Sequence, residues 1–252
     1  MTNSLKKART GQMVVVSALV IALIMTSTAM YIYDLNGNFA KSNTSTLNYF
    51  FNLIKTGSKH AVVGALANIT KGGPNETLSA NLNRWKSTVE KQYLLGTFVQ
   101  NFDLRSTTPY YSGVYVDWGN SGTGISEAYV EFSLNVSGKE IEAYLSYNIN
   151  VSTRLNVEGF IMEISSGIKK VTVKCTLFND GQPTLAKSIV TYYRESTEWL
   201  IPDDANNYSM ADYGNGTYCA IFYVETYASS IGISSQVFDK RDILVVANTT
   251  CT

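Results

Sequence analysis

Hydrophobic and polar positions divide the chain into three stretches with different periods. Met13 to Tyr33 carries no charge, no Gly and no Pro. About 20 apolar residues rising 1.5 Å each match a hydrocarbon core of roughly 30 Å. Such a segment in lipid must satisfy its backbone internally, as a helix. Lys6, Lys7 and Arg9 precede it and Asp34 follows, a charge bias that places the N-terminus in the cytoplasm and the rest outside. The pattern predicts a cytoplasmic leader at 1–12, a transmembrane or signal-anchor helix at 13–33 and a polar linker at 34–46. Ser27-Thr28-Ala29 also fits a small-x-small signal cleavage site.

Helical periodicity follows. Leu47, Phe50, Phe51, Ile54, Val62, Val63 and Leu66 predict a helix weakened in its middle by Gly57. Lys71-Gly72-Gly73-Pro74 breaks it. Leu78, Leu82, Trp85, Val89, Tyr93 and Val99 predict a second helix from Glu76 to Phe102, so the two form a helical hairpin.

After Pro109 the period falls to two. Strands are predicted at Gly113–Trp118, Ile125–Val136, Glu140–Val151 and Arg154–Ser165, with a turn-forming loop at Gly119–Gly124 and a hairpin turn at Ser137-Gly138-Lys139. From Lys169 the run Val171, Val173, Cys175 and Leu177 opens a second β unit, and Asn179-Asp180-Gly181-Gln182-Pro183 turns it. Further strands are predicted at Ile189–Tyr193, Glu198–Ile201, Cys219–Tyr227, Ser235–Asp239 and Asp242–Ala247. The expected fold class is mainly β with α: an N-terminal transmembrane helix, an α+β middle region at 47–166 (helical hairpin plus antiparallel sheet), and a C-terminal Ig-like β-sandwich at 167–252.

Composition adds a compartment. Lys plus Arg equals Asp plus Glu at 20 each, which gives no electrostatic case for nucleic acid as a partner. Asn43, Asn68, Asn75, Asn135, Asn150, Asn207, Asn215 and Asn248 each begin an Asn-x-Ser/Thr acceptor sequence, all on the outer side of the predicted span. A glycoprotein ectodomain is the expectation, with those asparagines exposed. Cys175, Cys219 and Cys251 are odd in number, so outside a membrane one disulfide and one thiol that is free or pairs between chains are expected. All three pairings stay open.

Candidate chemistry is thin. His60 is the sole histidine and no Cys-x-x-Cys occurs, which argues against zinc. Asp203, Asp204, Asn206, Asn207 and Asp212 are oxygen-rich but lack EF-hand spacing. Gly119–Gly124 has no Gly-Lys-Ser/Thr after it. Glu127, Glu131 and Glu142 lie on strands, where a solvated face explains them better than a catalytic carboxylate pair. Trp85, Trp118 and Trp199 could stack on sugars, but core or edge packing is the plainer role. No catalytic residue, cofactor or metal ligand is assigned.

Two resemblances refine this. Lys6-Lys7-Ala8-Arg9-Thr10-Gly11-Gln12-Met13 before a Val/Ile/Leu/Ala helix resembles the N-terminus of archaeal type IV pilin-like and archaellin-like proteins, which implies a cut after Ala8 or Gly11 with the helix kept. The Asn179–Pro183 turn, the β run at Ile189-Val190 and Asp212-x-Gly214-x-Gly216-Thr217-Tyr218 resemble surface-exposed bacterial Ig-like and prealbumin-like sandwiches. That resemblance implies a structural corner at Gly216 and Tyr218. Tyr218 and Cys219 are adjacent and so face opposite sides of a sheet, which puts a Cys175–Cys219 core disulfide in doubt.

The functional expectation is a non-enzymatic, membrane-anchored cell-surface glycoprotein with a structural or adhesive role. It would be single-pass, with a cytoplasmic N-terminus and extracellular C-terminal domains. Its partners would be the membrane and either further copies of itself or other surface proteins. The alternatives are a type IV pilin-like filament subunit and an extracellular ligand-binding or sensor module.

Overall fold

The computed structural model describes residues 44–93, 96–138 and 142–252. The chain divides into two compact units, Met1–Leu53 and Ile54–Thr252. Of the first, the structure describes only the opening turns of helix α1 (Thr44–Ile69). The anchor segment 13–33, the leader, the 34–46 linker up to 43, and Asn43 lie outside the described residues.

The second unit is mostly antiparallel sheet with two helices, α1 and α2 (Thr77–Gln92). The large sheet contains β1 (Gly96–Leu104), β2 (Val114–Trp118), β3 (Thr123–Gly138), β4 (Glu142–Ser165), β5 (Ile168–Asn179), β6 (Gln182–Pro183), β8 (Ser209–Asp212) and β9 (Thr217–Glu225). Its order is β1-β3-β4-β5-β9-β8, with β2 on β3 and β6 on β5. A smaller sheet is ordered β11-β10-β7, from β7 (Ala186–Arg194), β10 (Ile231–Asp239) and β11 (Leu244–Cys251).

This architecture corrects the expected fold class. Among the described residues no helix is long and apolar enough to cross a membrane. The middle and C-terminal regions are not separate layers either. The two strands predicted at 140–151 and 154–165 are one 24-residue strand, β4, paired to β3 along its first half and to β5 along its second. Positions 166 and 167 fall in the β4–β5 turn. The sheet therefore runs continuously through the expected boundary.

One face of that sheet buries both cores. Ala128, Val130, Phe132, Leu134, Val151, Leu155, Val173, Leu177 and Phe222 occupy alternate positions on it, brought to one side by the register. Over β1, β2, β3 and the start of β4 it is covered by helix residues Val62, Leu66, Leu78 and Leu82. Over β5, β9 and the middle of β4 it is covered by Tyr193, Ile231, Ile233, Val237 and Val245 of the small sheet. The second half is sandwich-like. Each large apolar side chain buried here contributes roughly 1.5–3 kcal/mol.

Helix α2 stops at Gln92, ten residues short of the sequence expectation. Thr97-Phe98-Val99-Gln100 favours a strand, and the backbone at Gly96 has φ +153°, a conformation that L side chains rarely adopt. The segment Glu198–Ile201 is not a strand beyond one bridge, Tyr193 to Leu200. The Asn179–Pro183 turn is a two-residue hairpin with φ +49° at Asp180 and +80° at Gly181, the geometry that Asp-Gly supplies.

Candidate functional site

Among the described residues nothing covers the other face of the large sheet, and its side chains are exposed or half-buried. On β2 and β3 this face is a tyrosine–carboxylate cluster. Tyr110 Oη donates to Glu127 at 2.6 Å, Tyr115 Oη to Asp117 at 3.1 Å and Tyr129 Oη to Glu131 at 3.3 Å. The Arg105 guanidinium lies 5.0 Å from the Tyr110 ring and 4.8 Å from the Tyr129 ring. Burial, then the Glu127 carboxylate, push the Tyr110 hydroxyl up to about 12. Glu127 and Glu131 share this face but are four residues apart, about 13 Å along a strand, and each is held by a different tyrosine. Glu142 lies further along, opposite Ser137. The three do not converge into a catalytic pair.

Of the seven described acceptor asparagines, Asn68, Asn75, Asn135, Asn150, Asn207 and Asn215 are exposed and Asn248 is half-buried. Asn248 Nδ2 donates to Trp118 O at 3.3 Å. Asn135 and Asn150 lie on the uncovered face in β3 and β4, and each sits directly across from a tyrosine: Asn135 from Tyr144, Asn150 from Tyr129.

The far half of β4 is an open edge. β3 ends its pairing at Asn156, so among the described residues β4 from 157 to 165 has a strand on one side only. Val157 N–H donates to Gly122 O at 2.7 Å, away from β5. By alternation Gly159 and Ile161 also turn their backbone groups to the open side. Phe160, Met162 and Ile164 project from the uncovered face there, 57%, 62% and 53% exposed. Glu158 precedes this stripe on the same face and is bridged to Lys174 at 3.2 Å, and Glu163 stands between Met162 and Ile164 on the opposite face.

Where the helical and sandwich halves meet, a polar knot holds them. Asp239 is fully buried; its carboxylate accepts from Arg241 Nε and Arg241 N at 2.8 Å, Thr153 Oγ1 at 2.9 Å and Ile243 N at 3.0 Å. Arg241 also donates to Ser152 O and Asp180. Asp180 accepts from Ser152 N at 2.9 Å and from Lys59 at 3.0 Å on α1. Burial works to raise the Asp180 carboxyl, but the Ser152 N–H, Lys59 and Arg241 outweigh it and hold it low. Its bonded pairs lie up to 121 positions apart, so no local pattern could reveal the knot.

The remaining candidates take structural places. His60 is exposed beside an open groove of about 410 Å³ lined by Lys55, Lys59, Tyr147 and Asn148. The Gly119–Gly124 loop stitches the sheets together: Asn248 N donates to Gly119 O, and Gly122 N to Asn248 O. Asp203 caps a short 3-10 turn (Asp204–Asn206), Asn207 ends it at φ +48°, and Asp212 Oδ1 accepts from Gly214 N. Among the described residues no three His, Cys, Asp or Glu side chains are grouped to hold a metal. Trp85 Nε1 donates to Ser58, Trp118 Nε1 to Ser126, and the Trp199 ring lies 4.6 Å from Arg194.

Cys175, Cys219 and Cys251 are free thiols. Cys175 pairs with Tyr218 across β5 and β9, so Cys219 points to the opposite face. Burial pushes both the Cys175 and the Cys251 thiol up to about 11. Gly216 has φ +84°, and a Cβ on it would meet Thr184 O at 2.6 Å. Tyr218 is buried, and its hydroxyl accepts from Ala186 N at 2.8 Å, pinning the start of β7.

No protein-family model matches this chain, and no curated protein matches it in sequence. The fold is β-rich and sandwich-like, and nothing in it is specific to pilin or Ig-like domains.

Proposed function

We propose that the protein is a non-enzymatic cell-surface glycoprotein with a structural or adhesive role, its contacts made by strand addition at the open edge of β4. The observation that carries this reading is the edge itself: among the described residues no strand lies beside Gly159 and Ile161 on the side away from β5, and Phe160, Met162 and Ile164 are exposed next to them. The charges of Glu158 and Glu163 on the same segment restrict which strands can dock. The six exposed acceptor asparagines agree with an extracellular location. Attachment at the membrane rests on the apolar 13–33 segment of the sequence alone.

The partner strand comes from a second copy of the chain. Antiparallel pairing about Ile161 sets Phe160 of one copy opposite Met162 of the other, joining apolar side chains on one face. The test is sedimentation of the full chain in detergent with Phe160→Lys and Met162→Lys variants. Concentration-dependent dimerisation in the parent, lost in both variants at unchanged thermal stability, supports the reading. A parent that is monomeric at all concentrations contradicts it.

A second reading, a type IV pilin-like filament subunit, is favoured by Lys7-Ala8 and Gly11 ahead of the apolar stretch. Mass spectrometry of the mature N-terminus separates the two: a start at Arg9 or Gln12 favours the filament subunit, and an intact Met1 favours a plain anchor.

A further inference from the structure

The register between β3 and β4 bears on how a glycan would be held. Tyr129 N–H donates to Gly113 O, on the side away from β4. β3 runs from there to Ser137 against β4 without a register shift. Every odd residue of β3 therefore turns its backbone away from β4. Tyr129/Asn150 and Asn135/Tyr144 are thus non-hydrogen-bonded pairs, whose Cα atoms approach to about 4.5 Å and whose side chains lie closest. Both pairs stand on the uncovered face. The Tyr129 ring is engaged by Arg105 and Tyr110, and its hydroxyl by Asn148 and Glu131. Tyr144 is 71% exposed and Asn135 is exposed beside it.

We propose that Asn135 is a glycan attachment site whose first sugar packs its apolar C–H face on the Tyr144 ring, so that the glycan becomes part of the sheet surface. The inference rests on the glycoprotein reading above. In the transfer, Asn135 Nδ2 bonds to the anomeric carbon of a lipid-phosphate-linked or lipid-pyrophosphate-linked oligosaccharide. The C1–O bond to that phosphate breaks, and the lipid phosphate leaves with the bonding electrons. The amide gives up one proton to solvent. An extended strand presents Asn135, Val136 and Ser137 with the first and third side chains on the same outward side, which leaves Asn135 and the Ser137 hydroxyl of the acceptor sequence together and accessible. Aromatic rings bury apolar surface at little entropic cost, which favours a sugar ring over water on Tyr144.

The test uses the full chain purified from cells that glycosylate their surface proteins, in six forms: parent, Asn135→Gln, Tyr144→Ala, Tyr144→Phe, and Asn135→Gln combined with each Tyr144 variant. Intact-glycopeptide mass spectrometry reads occupancy at Asn135, and thermal unfolding reads coupling. Asn135 occupied in the parent, with Asn135→Gln lowering Tm by about 2–4 °C in the parent and in Tyr144→Phe but not in Tyr144→Ala, supports the proposal. Asn135 unoccupied while other exposed asparagines carry glycan overturns it and leaves the glycoprotein reading standing. No asparagine occupied anywhere overturns both. Occupied Asn135 with additive Tm changes overturns the packing on Tyr144.

Discussion

Gly57 on α1 lies directly against the indole of Trp85 on α2: a Cβ at Gly57 would stand 2.2 Å from two carbons of the ring. A glycine that weakens a helix by local propensity is here what lets two helices close. The indole cannot swing away freely, because its Nε1 donates to Ser58 at 3.0 Å, and Ser58 also receives Gln100 Nε2 at 2.9 Å from β1. Gly57→Ala would gain about 1 kcal/mol of helix propensity. Overpacking against the ring costs about 1–3 kcal/mol. The expected outcome is a net loss in stability, measured by denaturant unfolding, with Trp85→Leu restoring part of it in the double variant. An increase in stability for Gly57→Ala alone would show the contact to be loose.

The Asp239–Arg241 pair gives a second expectation. Arg241→Met leaves the fully buried Asp239 carboxylate without its cation while keeping much of the side chain's volume. Removing one partner of a buried pair costs about 3–5 kcal/mol. Asp239→Asn, which keeps acceptor capacity on one oxygen, should cost less. Chemical denaturation of both variants checks the order.

Asp180 supplies a pH dependence. Its folded carboxyl titrates below the ordinary Asp value, so its contribution is fully present above about pH 4 and is lost as pH falls through the lower folded value. The group is partly exposed, so the effect is no more than about 1 kcal/mol. Asp180→Asn should therefore lower Tm at pH 7, with the gap to the parent closing in acid below about pH 4. A gap that stays constant down to pH 2 would mean that the carboxylate charge does nothing for the fold.

The thiols should differ in reactivity. Cys175 and Cys251 are buried with pKa values near 11, and Cys219 is half-exposed on the other face. Iodoacetamide at pH 8 should modify Cys219 in the native protein, whereas Cys175 and Cys251 should react only after unfolding. Three alkylated cysteines in the unreduced, denatured protein would agree with three free thiols; a count of one would mean a disulfide forms.

Acceptor sequences should also not behave alike. Asn248 commits its Nδ2, the atom a glycan would take, to Trp118 O, within the stitch between loop 119–122 and β11. Asn75 sits exposed in the turn before α2. Glycopeptide mapping is expected to find Asn75 occupied and Asn248 bare. A glycan on Asn248 would require that stitch to open.

The sequence carried the local parts of this fold. Apolar spacing from Leu47 to Leu66 marked α1, alternation marked β3, β5 and β9, and Asp180-Gly181 marked a tight hairpin. Tyr93 to Phe102 misled because Tyr93 and Val99 continue a helical spacing while Phe98 and Gln100 are the buried alternate positions of β1. The gap predicted at Ser152-Thr153 lies inside β4: Thr153 is buried and bonded to Asp239, so a polar residue sits within a continuous strand. Asn135 and Asn150 were visible as acceptors, but their tyrosine partners depend on cross-strand register. The open edge of β4 depends on where β3 stops. Both are relations between distant segments, which a local period does not encode.

The proposed cell-surface location stands behind the rest. The most direct measurement is to label intact cells with a membrane-impermeant amine reagent and map the modified lysines by mass spectrometry. Lys174 and Lys187 are the indicators, with side chains 50% and 59% exposed. Both modified before lysis is the expected result. Both modified only after lysis would contradict a cell-surface glycoprotein.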